Sequence, residues 1–237
     1  MFTRPLHWVA NKLMRLYSGR GERPVFYDID ETRPELRRLD ENYEAILAEL
    51  NAVLPQQDNM PRYHEMDALQ AGISDLDDKA WRVYFLAMGW AGKAFPMRAA
   101  CPKTVELLDG IPNLLQAFFS ILEPGKDVPH HDDPMMHYLR YHLALVVPEE
   151  NPPTIRIKDQ HYTWKAGESM LFDDSWDHEV FNNAKTRRVV LVVDFLRPTP
   201  WPLHAFNLVL AKLREPPRRA WESIFKRVRG RTLTPQG

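Results

Sequence analysis

Apolar residues recur at two different periods along the chain. Over residues 5–17, Leu6, Val9, Ala10, Leu13, Leu16 and Tyr17 fall at steps of three and four, with Lys12 and Arg15 among the polar positions. That spacing predicts an amphipathic helix. Leu36, Leu39, Tyr43, Ile46, Leu50 and Leu54 predict a second one, opened by Thr32 and Glu35 as a capping box and closed at Pro55. Residues 56–79 are polar and read as loop. From Trp81 onward the runs shorten, and 83–88, 117–122, 142–147, 154–157, 169–172 and 189–195 read as strands. Proline, glycine and acidic residues punctuate them, as in a β sandwich or barrel. After Arg197-Pro-Thr-Pro, residues 205–213 predict a last helix. Eight basic residues face two acidic ones between Lys212 and Arg231. The expectation is a mainly β fold with flanking helices. A helical segment over 1–80 packs on a β core over 81–199, and a basic helical extension occupies 200–237.

Composition narrows this picture only at a few points. The 237 residues suffice for one sizeable core and do not demand two. Lys and Arg number 31 against 32 Asp and Glu, so global charge gives no reason to expect a nucleic-acid partner. Cys101 is the single cysteine and cannot form an internal disulfide, which makes a reducing cytoplasm the expected compartment. No apolar run approaches the ~18 residues of a membrane span, and the first residues lack the apolar core and small-residue cleavage site expected of a secretory signal. Twenty prolines against ten glycines suggest short, rigid connections.

The candidate chemistry lies in the β region. His131, Asp133 and a distant His178 make two imidazoles and one carboxylate, a set that holds non-haem ferrous iron and leaves other positions open. Residues two apart on a strand project to one side, so His131 and Asp133 can reach one ion while His178 arrives from elsewhere in the sheet. Zinc and manganese accept similar donors. His130 and Asp132 share the same spacing, so the H-x-D pattern alone leaves two registers open. Arg140 and His142, also two apart, stand just ahead of an apolar Leu-Ala-Leu-Val-Val run. A cation there is costly unless it meets an anion, either a ligand or a nearby aspartate. Arg188 opens the last apolar strand. It is either a surface residue beside Arg187 or a fork for a carboxylate, which guanidinium matches in bidentate geometry. Iron and an anion-binding arginine together point to an oxygenase that consumes a small dicarboxylate. The seven tryptophans read as packing residues.

Several longer signatures appear in order: S-I-L-E-P-G from Ser120, P-H and D-P around the first histidine, R-Y-H-L-A-L from Arg140, W-K-A-G-E from Trp164, F-D-D-S-W-D-H-E-V from Phe172, and R-R-V-V-L-V-V-D from Arg187. Through them, residues 25–198 resemble the aspartyl/asparaginyl β-hydroxylase family of iron- and 2-oxoglutarate-dependent dioxygenases. The resemblance implies a double-stranded β-helix (jelly-roll, cupin-like) fold and a hydroxylase that uses Fe(II), 2-oxoglutarate and dioxygen. It sets the first metal histidine at His131 and not at His130, with His178 as the second. It implies Ser120 and Arg188 as binders of the far carboxylate of 2-oxoglutarate, and Arg140 and His142 as lining the co-substrate and substrate side.

Two departures bear on the substrate. The animal peptide hydroxylases have a glycine where this chain has Asp133. The carboxylate is present in bacterial lipid A 2-hydroxylases of the same superfamily, whose H-x-D-P and L-R-Y-H-L signatures are shared. The animal enzymes also carry another arginine two residues ahead of Arg140, where this chain has Tyr138. The expected substrate is an aspartyl or asparaginyl side chain, on a small molecule or a peptide. A lipid acyl chain is the alternative, and a non-catalytic jelly-roll binding module is a third reading. Basic amphipathic ends suggest peripheral contact with the inner face of a membrane, against the alternative that both helices pack on the barrel.

Overall fold

The computed structural model describes residues 4–18, 23–67, 70–89, 96–133 and 135–214. Strands β1 (Phe26–Tyr27), β2 (Trp81–Met88), β3 (Leu114–Leu122), β4 (Val128–His131), β5 (Tyr138–Val146), β6 (Thr154–Ile157), β7 (Gln160–Thr163), β8 (Ser169–Phe172), β9 (His178–Phe181) and β10 (Arg188–Leu196) form two antiparallel sheets. The larger has the order β1-β8-β5-β10-β3-β2 and the smaller β4-β9-β6-β7. From β3 onward the chain passes back and forth between the sheets, which is the winding of a double-stranded β-helix.

β10 is central, paired with β5 on one side and β3 on the other, and all nine of its residues are buried. Burial on both faces explains its near-continuous Val-Val-Leu-Val-Val run, which lacks the alternation of a half-exposed strand. One face looks into the barrel. The other is covered by helices α3 (Arg37–Glu41) and α4 (Tyr43–Val53), which follow the single-turn α2 (Ile29–Thr32). The covering layer is tied down by hydrogen bonds from Tyr141 Oη to Asp40 Oδ1, 2.5 Å, and from Tyr43 Oη to the Leu145 carbonyl, 3.1 Å. Leu39, Ile46 and Leu50 belong to the same buried cluster as the strands. The β3–β4 connection is a tight turn in which Lys126 N donates to the Glu123 carbonyl at 3.0 Å. Gly125 takes φ +67° there behind Pro124, the positions a type II turn reserves for glycine and proline.

The helical region departs from the periodicity in detail. Thr32 ends α2 and opens nothing; the cap is Asp28, whose side chain accepts from Glu31 N. The stripe from Leu36 to Leu54 is cut by a 3₁₀ turn over Pro34–Leu36 and again at Asn42. The α-helix ends at Val53, just ahead of Pro55 as expected, and the chain then runs on as a 3₁₀ turn over Leu54–Asn59. The segment read as loop holds α5 (Tyr63–Met66) and α6 (Ala71–Ser74), with Tyr63 and Met66 buried. Helix α7 (Pro102–Asp109) was not foreseen. At the ends, α1 (Arg4–Tyr17) packs against α8 (Leu203–Arg214), and Asn207 Nδ2 lies 3.6 Å from Met14 Sδ. The basic run beyond Arg214 lies outside the described residues. No described helix is long and apolar enough to cross a membrane.

Candidate functional site

Alternate residues of a strand share a face, so β10 sends Arg188, Val190, Val192 and Asp194 into the barrel. The register sets their neighbours: Leu122 beside Arg188, Ser120 and Ala144 beside Val190, His142 beside Val192, and Gln116 and Arg140 beside Asp194. The interior is therefore apolar in the middle and charged at both ends.

At one end Arg188 is 3% exposed. Its guanidinium lies 4.1 Å from the centroid of the Trp164 ring, and its Nε has no hydrogen-bond partner. Among the described residues no carboxylate pairs with it. Burial without a counter-charge favours the neutral form and pulls its pKa down to about 9. Trp164 Nε1 and His142 Nδ1 are also buried and partnerless. The two rings stack with centroids 6.0 Å apart. Burial holds His142 well below the usual imidazole range, with help from the charges of Arg188 and Arg140. Ser120 Oγ accepts from Trp81 Nε1 at 2.9 Å, which leaves its own O–H to donate. Buried polar groups almost always find partners. The guanidinium's own Nε and two neighbouring orphans make a place that could hold an anion.

The other end is the opposite case. Arg140 gives Nε and Nη2 to the two oxygens of Asp194, each at 2.7 Å, and Nη1 lies 2.9 Å from Asp174 Oδ2. Gln116 Nε2 donates to Asp194 Oδ2 at 2.5 Å and Tyr138 Oη to Asp174 Oδ2 at 3.0 Å. Burial, reinforced by Asp133 and Asp194, pushes Asp174 well above the usual carboxylate range, and Asp174 Oδ1 has no partner. Arg140, read from sequence as lining the co-substrate side, is thus engaged by two aspartates.

The metal candidates stand on the smaller sheet. His131 ends β4 and His178 begins β9, and the register pairs them directly, with ring centroids 4.1 Å apart. His131 Nδ1 donates to the Pro129 carbonyl and His178 Nδ1 to that of Trp176, each at 2.8 Å. A carbonyl can only accept, so each proton sits on Nδ1 and each Nε2 keeps its lone pair. Burial lowers both pKa values, that of His178 to about 3, so both rings are neutral near pH 7. This donor pair fits a divalent ion. His130 and Asp132 are exposed and stand apart, with His130 Nδ1 3.5 Å from Asp177.

Asp133 sits past the end of β4, so the same-side rule that joined it to His131 does not apply. Its amide donates to the Asp174 carbonyl, and its Oδ1 accepts from Met135 N at 3.1 Å. Burial, opposed by a hydrogen bond from Tyr138, raises its pKa. Among the described residues no three His, Cys, Asp or Glu side chains are grouped closely enough to hold a metal. The structure brings the two histidines together and leaves Asp133 on the Tyr138 and Arg140 side.

Sequence reading missed four residues here. Trp164, taken as packing, forms the wall beside Arg188. Trp8 and Trp201 are exposed, and Trp90 and Trp221 lie outside the described residues. Asp194 and Asp174 neutralise Arg140, and Gln116 donates to Asp194. The signal for Asp194 was present, since it stands six residues beyond Arg188 on one strand and so on the same face.

The sequence profile of the aspartyl/asparaginyl β-hydroxylase family matches residues 40–198. An ornithine lipid ester-linked acyl 2-hydroxylase from Rhizobium tropici is 38% identical over 205 residues, covering 86% of this chain and 71% of that protein. The human aspartyl/asparaginyl beta-hydroxylase is 38% identical over 106 residues, which is 43% of this chain and 14% of that protein. A second human relative, aspartate beta-hydroxylase domain-containing protein 2, is 25% identical over 73% of this chain and 47% of its own length. The profile extends over the barrel and both of its charged ends, and the family is one of hydroxylases. The chain belongs to the aspartyl/asparaginyl β-hydroxylase family.

Proposed function

We propose that the protein is an Fe(II)- and 2-oxoglutarate-dependent hydroxylase that acts at carbon 2 of a lipid-borne acyl chain. The observation that carries this is Arg188, a buried cation with no counter-anion among the described residues, in a barrel that also holds two neutral histidines. His131 and His178 would hold the metal through Nε2, and nitrogen and oxygen donors of this kind suit ferrous iron. Asp133 is the candidate third donor, now held by the Met135 amide. Bound iron with 2-oxoglutarate supplies the chemistry: dioxygen is consumed, one C–H becomes C–OH, and the co-substrate leaves as succinate and carbon dioxide.

The chain's own residues bind and orient. Arg188 would grip the far carboxylate with its fork, and the Ser120 hydroxyl would donate to the same group. The Trp164 indole N–H is placed to serve another acceptor. The apolar middle of the barrel, Val190, Val192 and Ala144, excludes water from the reacting carbon.

The substrate assignment moves from the aspartyl side chain expected first to the acyl chain. Three observations support the change. The acyl hydroxylase relative spans most of the chain, whereas the human peptide hydroxylase matches less than half of it. Tyr138 replaces an arginine that could meet an acidic side chain. Arg140, the neighbouring cation, is already held by Asp194 and Asp174.

The test is succinate release from 2-oxoglutarate by the purified chain with Fe(II), in the presence of an ornithine lipid or of an aspartyl peptide. Lipid-stimulated release with one added oxygen on the acyl chain is expected. Release driven by the peptide alone would return the assignment to the aspartyl side chain. His131→Ala should lower metal affinity by at least ~100-fold, whereas His130→Ala should leave it within about threefold. Equal losses would mean that the register is wrong by one residue.

A further inference from the structure

Helix α1 carries three rows of side chains. Ala10 and Met14, four apart, are fully buried on one row, and Met14 meets Asn207 of α8. Val9, Leu13 and Leu16, at steps of four and three, form a second row that is exposed, Leu16 to 56%. Trp8, Lys12 and Arg15 form a third row beside it, and Lys12 Nζ lies 5.1 Å from the Trp8 ring centroid. An apolar row left in water is unusual for a folded helix. The same is true of α8, where Val209 and Leu213, four apart, are 55% and 57% exposed. Trp201, two residues ahead of α8, is 78% exposed.

We propose that α1 and α8 together form a seat for an anionic lipid bilayer. Three observations choose that occupant. Neither helix contains an acidic residue, while Lys12 and Arg15, both exposed on α1, supply cations. A symmetric second copy would set this patch against itself and bring cations onto cations, whereas lipid phosphate complements them. Tryptophan and tyrosine rings that are apolar in body and polar at one edge are the side chains that settle at a membrane interface, and Trp8, Tyr17 and Trp201 are such exposed rings.

The seat is also beside the chemistry. Asn11, on α1, accepts from Met136 N at 3.2 Å, five residues past His131. Asn11 lies on the face of α1 opposite the exposed row, so binding would hold the loop that follows the first metal histidine one helix away from the bilayer in which an acyl substrate resides. The surface stands on α1 and α8 alone; the acyl-chain reading explains its position and is tested separately.

The measurement is co-sedimentation of the full chain with phosphatidylcholine vesicles, with and without phosphatidylglycerol, at low and high salt. Binding should appear with phosphatidylglycerol at low salt and weaken in high salt. Leu13→Glu/Leu16→Glu should reduce it by at least ~10-fold, and Lys12→Gln/Arg15→Gln should flatten its salt dependence. Thermal stability and 2-oxoglutarate turnover on a detergent-dispersed substrate should be unchanged in both variants. No binding of the wild-type chain at low salt overturns the proposal. So does a dimer that the leucine variant dissociates while vesicle binding stays at background. Intact vesicle binding without acyl hydroxylation would overturn the functional reading and leave the seat standing.

Discussion

Arg140 and Arg188 project into the same barrel, one opposite Asp194 and the other six positions away at the start of the same strand. Their surroundings differ in one respect. Arg140 is enclosed by Asp194, Asp174 and, nearby, Asp133, whereas Arg188 meets an indole face and other partnerless polar atoms. Burying a charge is costly in either case, but only at Arg140 does the fold itself offset the cost. A cation satisfied by its own chain is scaffold. One left unsatisfied calls for something from outside to complete it, and under the proposed function that difference would separate the structural end of the barrel from its binding end.

The contrast is open to test. Arg140→Met should cost about 3–5 kcal/mol of unfolding free energy, because it strands buried carboxylates. Denaturant titration measures this, and a loss within about 1 kcal/mol would mean that the aspartates do not depend on Arg140. Arg188→Met should act in the opposite direction. It removes an unpaired charge and should raise stability by about 1–3 kcal/mol while abolishing the response to 2-oxoglutarate. If both variants lose stability alike, the two arginines are not different in kind.

A smaller effect lies in pH. Arg188 has a folded pKa of about 9, well below the ordinary guanidinium value it regains on unfolding, so between those values the unfolded state binds more protons. The stability owed to this group therefore rises as pH climbs past about 9, and the advantage of Arg188→Met over wild type should shrink in that window. Carboxylate binding should weaken over the same range as the free guanidinium loses its proton. A stability gap that stays constant past about 9 would mean that Arg188 is fully charged in the folded protein.

The long strands were legible because burial on both faces writes itself as unbroken apolar sequence, as in β10 and in Leu143 to Val146 of β5. β4, β7 and β9 were not, because Pro129, two adjacent histidines and the polar Gln160–Thr163 carry no apolar rhythm. β4 and β9 hold the histidine pair, so the site was visible through chemistry at positions where the strands were not. Arg188 could be named from sequence, but its isolation could not, since it depends on where Asp174 and Asp194 fall in the register. Asp133 shows the reverse: its spacing from His131 suggested a shared face, and the end of β4 removed the strand on which that argument depended.

The central claim is that Arg188 is held open for the carboxylate of 2-oxoglutarate. The most direct measurement is the melting temperature of wild type and of Arg188→Met, each with Mn(II), titrated with 2-oxoglutarate. The account predicts that the wild-type melting temperature climbs with ligand, while the variant begins higher and does not move. A variant that climbs in parallel with wild type would contradict it.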